Sequence, residues 1–212
     1  LPLTAETRAK KIEKIIGEMY PDASIQLDHS NAFELLVATI LSAQCTDKRV
    51  NEVTKRIFPK YNTPDKLASL GEANLIPLIK DCGLYKTKSR NIIKTSEILA
   101  TKYNNEVPST REDLESLPGV GRKTCNVVLA NAFGIPAFPV DTHVFRVAHR
   151  LGLSDSKTPE KVEEDLCNLF EPENWIKLHH QMIIHGRTLC KVQKPLCDKC
   201  DLKDLCLYKQ TD

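Results

Sequence analysis

The chain is predicted to be all-α, and three observations carry that prediction. Apolar residues recur at helical spacing in almost every segment, and alternation of period two rarely lasts beyond four residues. The breaks between periodic segments carry helix-start and helix-stop residues. The result is roughly ten short helices joined by short loops. A length of 212 residues gives ample core for one large domain or two small ones. Composition is ordinary for a globular chain, with 41% hydrophobic and 27% charged residues. No internal repeat, low-complexity segment or long linker marks a boundary.

The elements follow in order. Ile12, Ile15, Ile16 and Met19 form one apolar stripe at i, i+3, i+4 and i+7. "NAFELLVATILSA" opens on Asn31 with Glu34 three residues later, a capping arrangement, and is apolar nearly all round, so it belongs in the middle of its domain. Val50, Val53 and Ile57 mark the next helix, which Pro59 ends. "TPDKLASLG" supplies Thr63 as cap, Pro64 at the first helical position and Gly71 as terminator. "STREDLESL" pairs Ser109 with Glu112, a second capping box. "KTPEKVEEDLCNLF" repeats the Thr-Pro start and carries Val162, Leu166 and Leu169 on one face.

Several classes of function are disfavoured. No run of about 18 apolar residues occurs, so no transmembrane helix and no membrane partner is expected. The first residues, "LPLTAETRAKKIEKIIGEMY", hold no apolar signal-peptide core, and a cytoplasmic location is expected. A net charge of +2 does not announce a nucleic-acid binder; only local clustering of charge could.

The cysteines divide into two groups. Cys45, Cys82, Cys125 and Cys167 are scattered through core-like segments and read as small buried hydrophobes. Cys190, Cys197, Cys200 and Cys206 crowd together in a C-x6-C-x2-C-x5-C tail. In a chain without a secretory signal, four thiols this close point to one metal centre rather than to disulfides. Spacing alone leaves zinc and a [4Fe–4S] cluster both open. The gap "KVQKPL" holds Lys191 and Lys194 and no acid, a basic loop suited to phosphates. The tail also suggests a second lobe.

"LPGVGRKT" lies between two helical segments. One stops at Pro118, and the next runs from about Arg122 to Phe133 before Gly134 ends it. Gly119, Val120, Gly121 and Arg122 therefore form a turn whose backbone amides, at a helix N-terminus, suit a phosphate. This is a helix-hairpin-helix pattern, which holds DNA backbone without reading sequence. Lys123 sits in the first turn of the second helix beside Arg122, electropositive surroundings that favour the neutral, nucleophilic form of an amine. Further along, Asp141 begins "DTHVFRVAHRLG", where a helix cap and a catalytic carboxylate are both open readings.

Taken together, "LPGVGRKTCNVV", "VDTHVFRV" and "HGRTLC" before the four-cysteine tail closely resemble the endonuclease III family of DNA glycosylases with AP-lyase activity. "LLVATILSAQCTD" and "GLYKTKSRNI" match family segments too, in order along nearly the whole chain. The resemblance implies two helical lobes with a central cleft that holds DNA. One lobe, residues 25–135, would contain the hairpin; the other, 1–24 with 136–212, would carry the [4Fe–4S] cluster on Cys190, Cys197, Cys200 and Cys206. It further implies Lys123 as the nucleophile and Asp141 as the catalytic aspartate. Gln44 and Leu84 would fill the gap left by a flipped base, and His143 would stand near the site. Around Leu84, Lys86, Lys88, Arg90 and Lys94 form the local basic patch that the net charge hides. The expected partner is duplex DNA bearing damaged pyrimidines or abasic sites, met by a monomer of a bacterial, nucleoid-associated enzyme.

Two rivals compete. The adenine-glycosylase branch of the same superfamily lacks the lysine and carries a catalytic Glu where this chain has Ala38. A non-catalytic DNA-binding module with structural zinc would be colourless and would tolerate Lys123→Ala.

Overall fold

Local sequence signals start and stop most of the helices. Residues 4–208 of the computed structural model are described here; among them every regular element is a helix. The first, α1 (Ala5–Met19), begins at Thr4, whose hydroxyl accepts the Thr7 N–H. Its stripe buries Ile12 and Ile16, with Ile15 and Met19 packed beside them. The chain then builds one compact unit from Gln26 to Ile135 and returns to complete the unit to which α1 belongs, Leu1–Ile25 with Pro136–Asp212. Positions 1–3 and 209–212, parts of the expected cluster lobe, lie outside the described residues.

In the Gln26–Ile135 unit, α2 (Ala32–Ser42) is the central helix and is buried on every side from Phe33 to Leu41. Asn31 accepts the Glu34 N–H at 2.8 Å, and the Glu34 carboxylate takes the Ser30 N–H at 2.6 Å. Around α2 pack α3 (Asp47–Ile57), α6 (Tyr85–Lys102) and α8 (Arg122–Phe133), with α4 (Pro64–Leu70) and α5 (Glu72–Ile79) lying on α6. Val50, Val53 and Ile57 are fully buried, as the periodicity requires. Helix α8 starts and ends where its glycines place it; Gly134 takes the left-handed φ of +64° that closes a helix.

One cap differs from expectation. The short α7 (Arg111–Glu115) is capped by Thr110, not Ser109. Thr110 accepts the Asp113 N–H and donates to the Asp113 carboxylate at 2.7 Å, so Asp113 and not Glu112 partners the cap. Two hydroxyl residues in a row made the register ambiguous.

The other unit packs α1 with α9 (Thr142–Arg150), α10 (Pro159–Leu169) and α11 (Trp175–Thr188). Its core joins Ile12, Ile16, Phe138, Val144, Val147, Val162 and Leu166. Of the scattered cysteines, Cys82 and Cys125 are buried as expected, whereas Cys45 and Cys167 are only half-buried. Among the described residues no helix is long and apolar enough to cross a membrane.

Candidate functional site

The hairpin between α7 and α8 is fixed from behind by α6. The Thr95 hydroxyl donates to the Pro118 carbonyl at 2.9 Å, and the Asn91 side chain fills the space beside Gly119. Gly119 has a φ of +80°, and a Cβ there would come within 2.9–3.3 Å of Asn91, so glycine is required on both counts. Gly121 is different: at φ −97° and ψ −179° it is ordinary extended backbone with open space around it. Val120 turns inward, is buried, and gives its N–H to the Leu117 carbonyl. Its part is to anchor the turn, while the exposed Gly119 and Gly121 form its outer edge. No side chain caps α8 at Gly121, so the positive end of that helix is left to solvent or a bound anion. Arg122 and Lys123 are exposed in its first turn.

The two other DNA-facing candidates of this unit share an unusual backbone. Gln44, just past the end of α2, has φ +53°, and Leu84, at the start of α6, has φ +58°. Both are exposed, Leu84 to 57% for a large apolar side chain. A non-glycine residue in the left-handed region costs of order 1–3 kcal/mol and persists only where its surroundings impose it. Of the basic patch expected around Leu84, Lys86, Arg90 and Lys94 are at the surface, and Arg90 reaches Glu72 at 3.9 Å. Lys88 does not belong to the patch: it is 4% exposed, with its ammonium on two backbone carbonyls.

In the other unit Asp141 caps α9. Its Oδ1 accepts both the His143 N–H at 2.9 Å and the Val144 N–H at 2.8 Å. Both bonds fall on one oxygen. His143, Arg146 and Arg150 follow on one helical stripe. The Arg146 guanidinium donates to His143 Nδ1 at 3.2 Å, to the Gly186 carbonyl at 2.9 Å and to the Cys190 carbonyl at 3.0 Å. Burial, with Arg146 and Arg187 nearby, lowers the His143 pKa against the opposing pull of Asp141.

Arg150 serves the cysteine tail directly. It donates to Cys190 Sγ at 3.4 Å and to the Lys191 carbonyl at 2.7 Å, and its own carbonyl accepts from Cys206 Sγ at 3.1 Å. Arg146 and Arg150 stand at i+3 and i+7 from His143, a spacing that by itself names no partner for them. All four tail cysteines line one cavity together with Arg150, His185 and Lys203. They are free thiols. No three His, Cys, Asp or Glu side chains among the described residues converge as they would on a single ion. Burial raises the Cys200 and Cys206 pKa values, so thiolates here call for a compensating cation. Four sulfurs, one of them already touched by a guanidinium, are a donor set that fits an iron–sulfur group. Lys191 and Lys194 are exposed on the loop between Cys190 and Cys197, with Lys194 at φ +48°.

A glycine turn that presents a helix N-terminus, with an exposed amine one turn on, suits a protein that grips nucleic acid by its backbone and sets a nucleophile beside it. Comparison with known families defines the class: residues 37–172 match the HhH-GPD superfamily of base excision DNA repair proteins. The relatives narrow it further. The endonuclease III of Haemophilus influenzae is 47% identical over 205 residues, covering 96% of this chain and 97% of its own. Two solved structures, a non-covalent endonuclease III–DNA complex and a trapped endonuclease III–DNA covalent intermediate, superpose with a TM-score of 0.93 at 47% identity. Each covers 97% of this chain, and 96% and 97% of the respective solved chains are covered in return. The chain belongs to the endonuclease III family.

Proposed function

We propose that Lys123 is the nucleophile and Asp141 the carboxylate of a DNA base-excision reaction on duplexes with oxidised or otherwise damaged pyrimidines. The enzyme is a bifunctional DNA glycosylase and abasic-site lyase, as its family is. One observation supports the role of Lys123 most directly. It stands exposed in the first turn of α8, immediately beyond amides suited to hold the DNA backbone.

The chemistry follows from an amine in that position. With the damaged base turned out of the stack, Lys123 Nζ attacks C1′ of its sugar and the C1′–N bond breaks, releasing the base. Asp141 takes the proton given up by the amine or offsets positive charge on the sugar, using the carboxylate oxygen not engaged in capping. The C1′–O4′ bond then breaks, the ring oxygen taking a proton, and the opened sugar stays joined to Nζ as an imine, which acidifies the 2′ hydrogen. Its loss expels the 3′ phosphate, and water then frees the lysine. Water in place of the amine would release the base but could not form the imine.

Gly119, Gly121, Arg122, Lys191 and Lys194 hold phosphates, with Val120 as the anchor of the turn. Gln44 and Leu84 enter the gap left by the turned-out nucleotide, and His143 stands at the start of α9 beside Asp141. Cys190, Cys197, Cys200 and Cys206, which line one cavity, would hold a [4Fe–4S] cluster, as the likeness to the endonuclease III family implies. When bound, it supplies iron–thiolate bonds that fix the loop bearing Lys191 and Lys194.

Borohydride reduction in the presence of a duplex with one abasic site tests the assignment. The wild type should become covalently attached and Lys123→Gln should not, while Asp141→Asn should bind the duplex yet lose most turnover. Trapping that persists in Lys123→Gln refutes the nucleophile.

A further inference from the structure

We propose that Lys88 is a positioning residue that holds the Gln44 and Leu84 loops as one rigid wedge. The inference rests on the reading that these two side chains enter DNA, and it identifies what keeps them in place.

Lys88 lies in the first turn of α6, yet its side chain runs inward and is 4% exposed. Its Nζ donates to the Leu41 carbonyl at 2.8 Å and to the Ala43 carbonyl at 2.6 Å. These oxygens belong to the last turn and cap of α2, where a helix leaves carbonyls unpaired and its dipole favours a cation. Ala43 is followed by left-handed Gln44, so the ammonium grips the backbone at the root of that turn. The backbone N–H of Lys88 donates to the Leu84 carbonyl at 3.0 Å. One residue therefore binds the base of both loops, one through its side chain and the other through its main chain.

Other contacts join the loops at the same level. A Cβ on Gly83 would come within 3.3 Å of the Gln44 carbonyl, so the chain before Leu84 lies against the chain at Gln44. The thiols of Cys45, beside Gln44, and Cys82, beside Gly83, are close enough to interact electrostatically. Burial pushes the Cys82 thiol up to about 12 and lowers the Lys88 pKa below the ordinary lysine value. Two left-handed non-glycine residues, an exposed leucine and a buried cation with carbonyl partners are together a costly arrangement for a plain helix junction. They are economical as a device that sets two tips at a fixed separation.

The experiment compares Lys88→Met with the double variant Gln44→Ala/Leu84→Ala on two abasic substrates. One is a duplex, which has a gap to fill; the other is a single strand, which has none. Lys88→Met should lower kcat/KM on the duplex about tenfold, the size of effect expected from small misplacement. Strand cleavage on the single strand should stay within about twofold, and the triple variant should lose no more on the duplex than the double, since the residues act as a unit. Equal loss on both substrates, no loss on the duplex, or fully additive losses in the triple variant would each overturn the proposal. If the double variant itself loses nothing on the duplex, the wedge reading fails first and Lys88 with it. Should Lys88→Met not fold, Lys88→Arg, which keeps the cation but shifts its donors, is read in its place. Loss confined to the duplex supports the role, and equal loss on both substrates refutes it.

Discussion

Replacing Gly119 by alanine tests the hairpin at its most constrained point. An L-residue at φ +80° carries about 1–2 kcal/mol of backbone strain. The added methyl would also lie 3.0 Å from Asn91 Cβ and 2.9 Å from its amide nitrogen. The amide could swing away, but the Asn91 Cβ is fixed by the α6 backbone, so relief requires the hairpin to back off, at a further cost of about 1 kcal/mol. The expected loss is about 2–3 kcal/mol in urea unfolding, or roughly 4–12 °C in thermal midpoint for a chain of this size. Gly121→Ala is the control. That position is extended and open, so the reduced freedom of the unfolded chain and the poorer helix cap nearly cancel, and the change stays within about 0.5 kcal/mol of zero. Binding to a duplex with a stable abasic analogue should fall in Gly119→Ala. Equal destabilisation by the two variants would refute the distinction between the glycines.

Two further outcomes are expected. His180 is 8% exposed, and burial, with the charge of Lys177, depresses its pKa to about 4. Between about pH 6.5 and 4 the unfolded chain takes up a proton that the folded chain refuses, so stability is full above 6.5 and falls on acidification, by about 3 kcal/mol in all. His180→Gln should flatten that part of the stability–pH curve; an unchanged slope would show that other groups dominate it. Changing Lys191 and Lys194 together to alanine should weaken duplex binding and reduce the salt dependence by roughly one to two phosphate contacts, and an unaltered salt slope would remove the loop from the interface.

What could be read in advance was what neighbouring residues decide among themselves. Gly134 ends α8, Thr158 with Pro159 begins α10, and Ile12 with Ile16 turns one face of α1 inward, each by rules that operate over a turn or two. The hairpin, the lysine after it and the tail cysteines were legible because their chemistry is written in short spacings. Lys88 was not. In the sequence it is one more cation in a basic run, and its burial depends on carbonyls of Leu41 and Ala43 supplied by another helix. The Val120 side chain belongs to the interior, which its place between two exposed glycines does not announce. Arg146 and Arg150 acquire meaning only when Cys190 folds back onto α9, a contact across 40 or more positions of chain. Residues whose partners are distant in sequence are the ones that local patterns misassign.

The left-handed conformation of Gln44 and Leu84 has a consequence for how such a protein can be altered. Glycine at either position would relax the main chain by about 1 kcal/mol or more. A selection for heat resistance alone would therefore favour discarding both side chains, and the survivors would be hardier proteins with blunted tips. Breeding a sturdier version of this chain requires that every round of screening include damaged duplex as well as temperature.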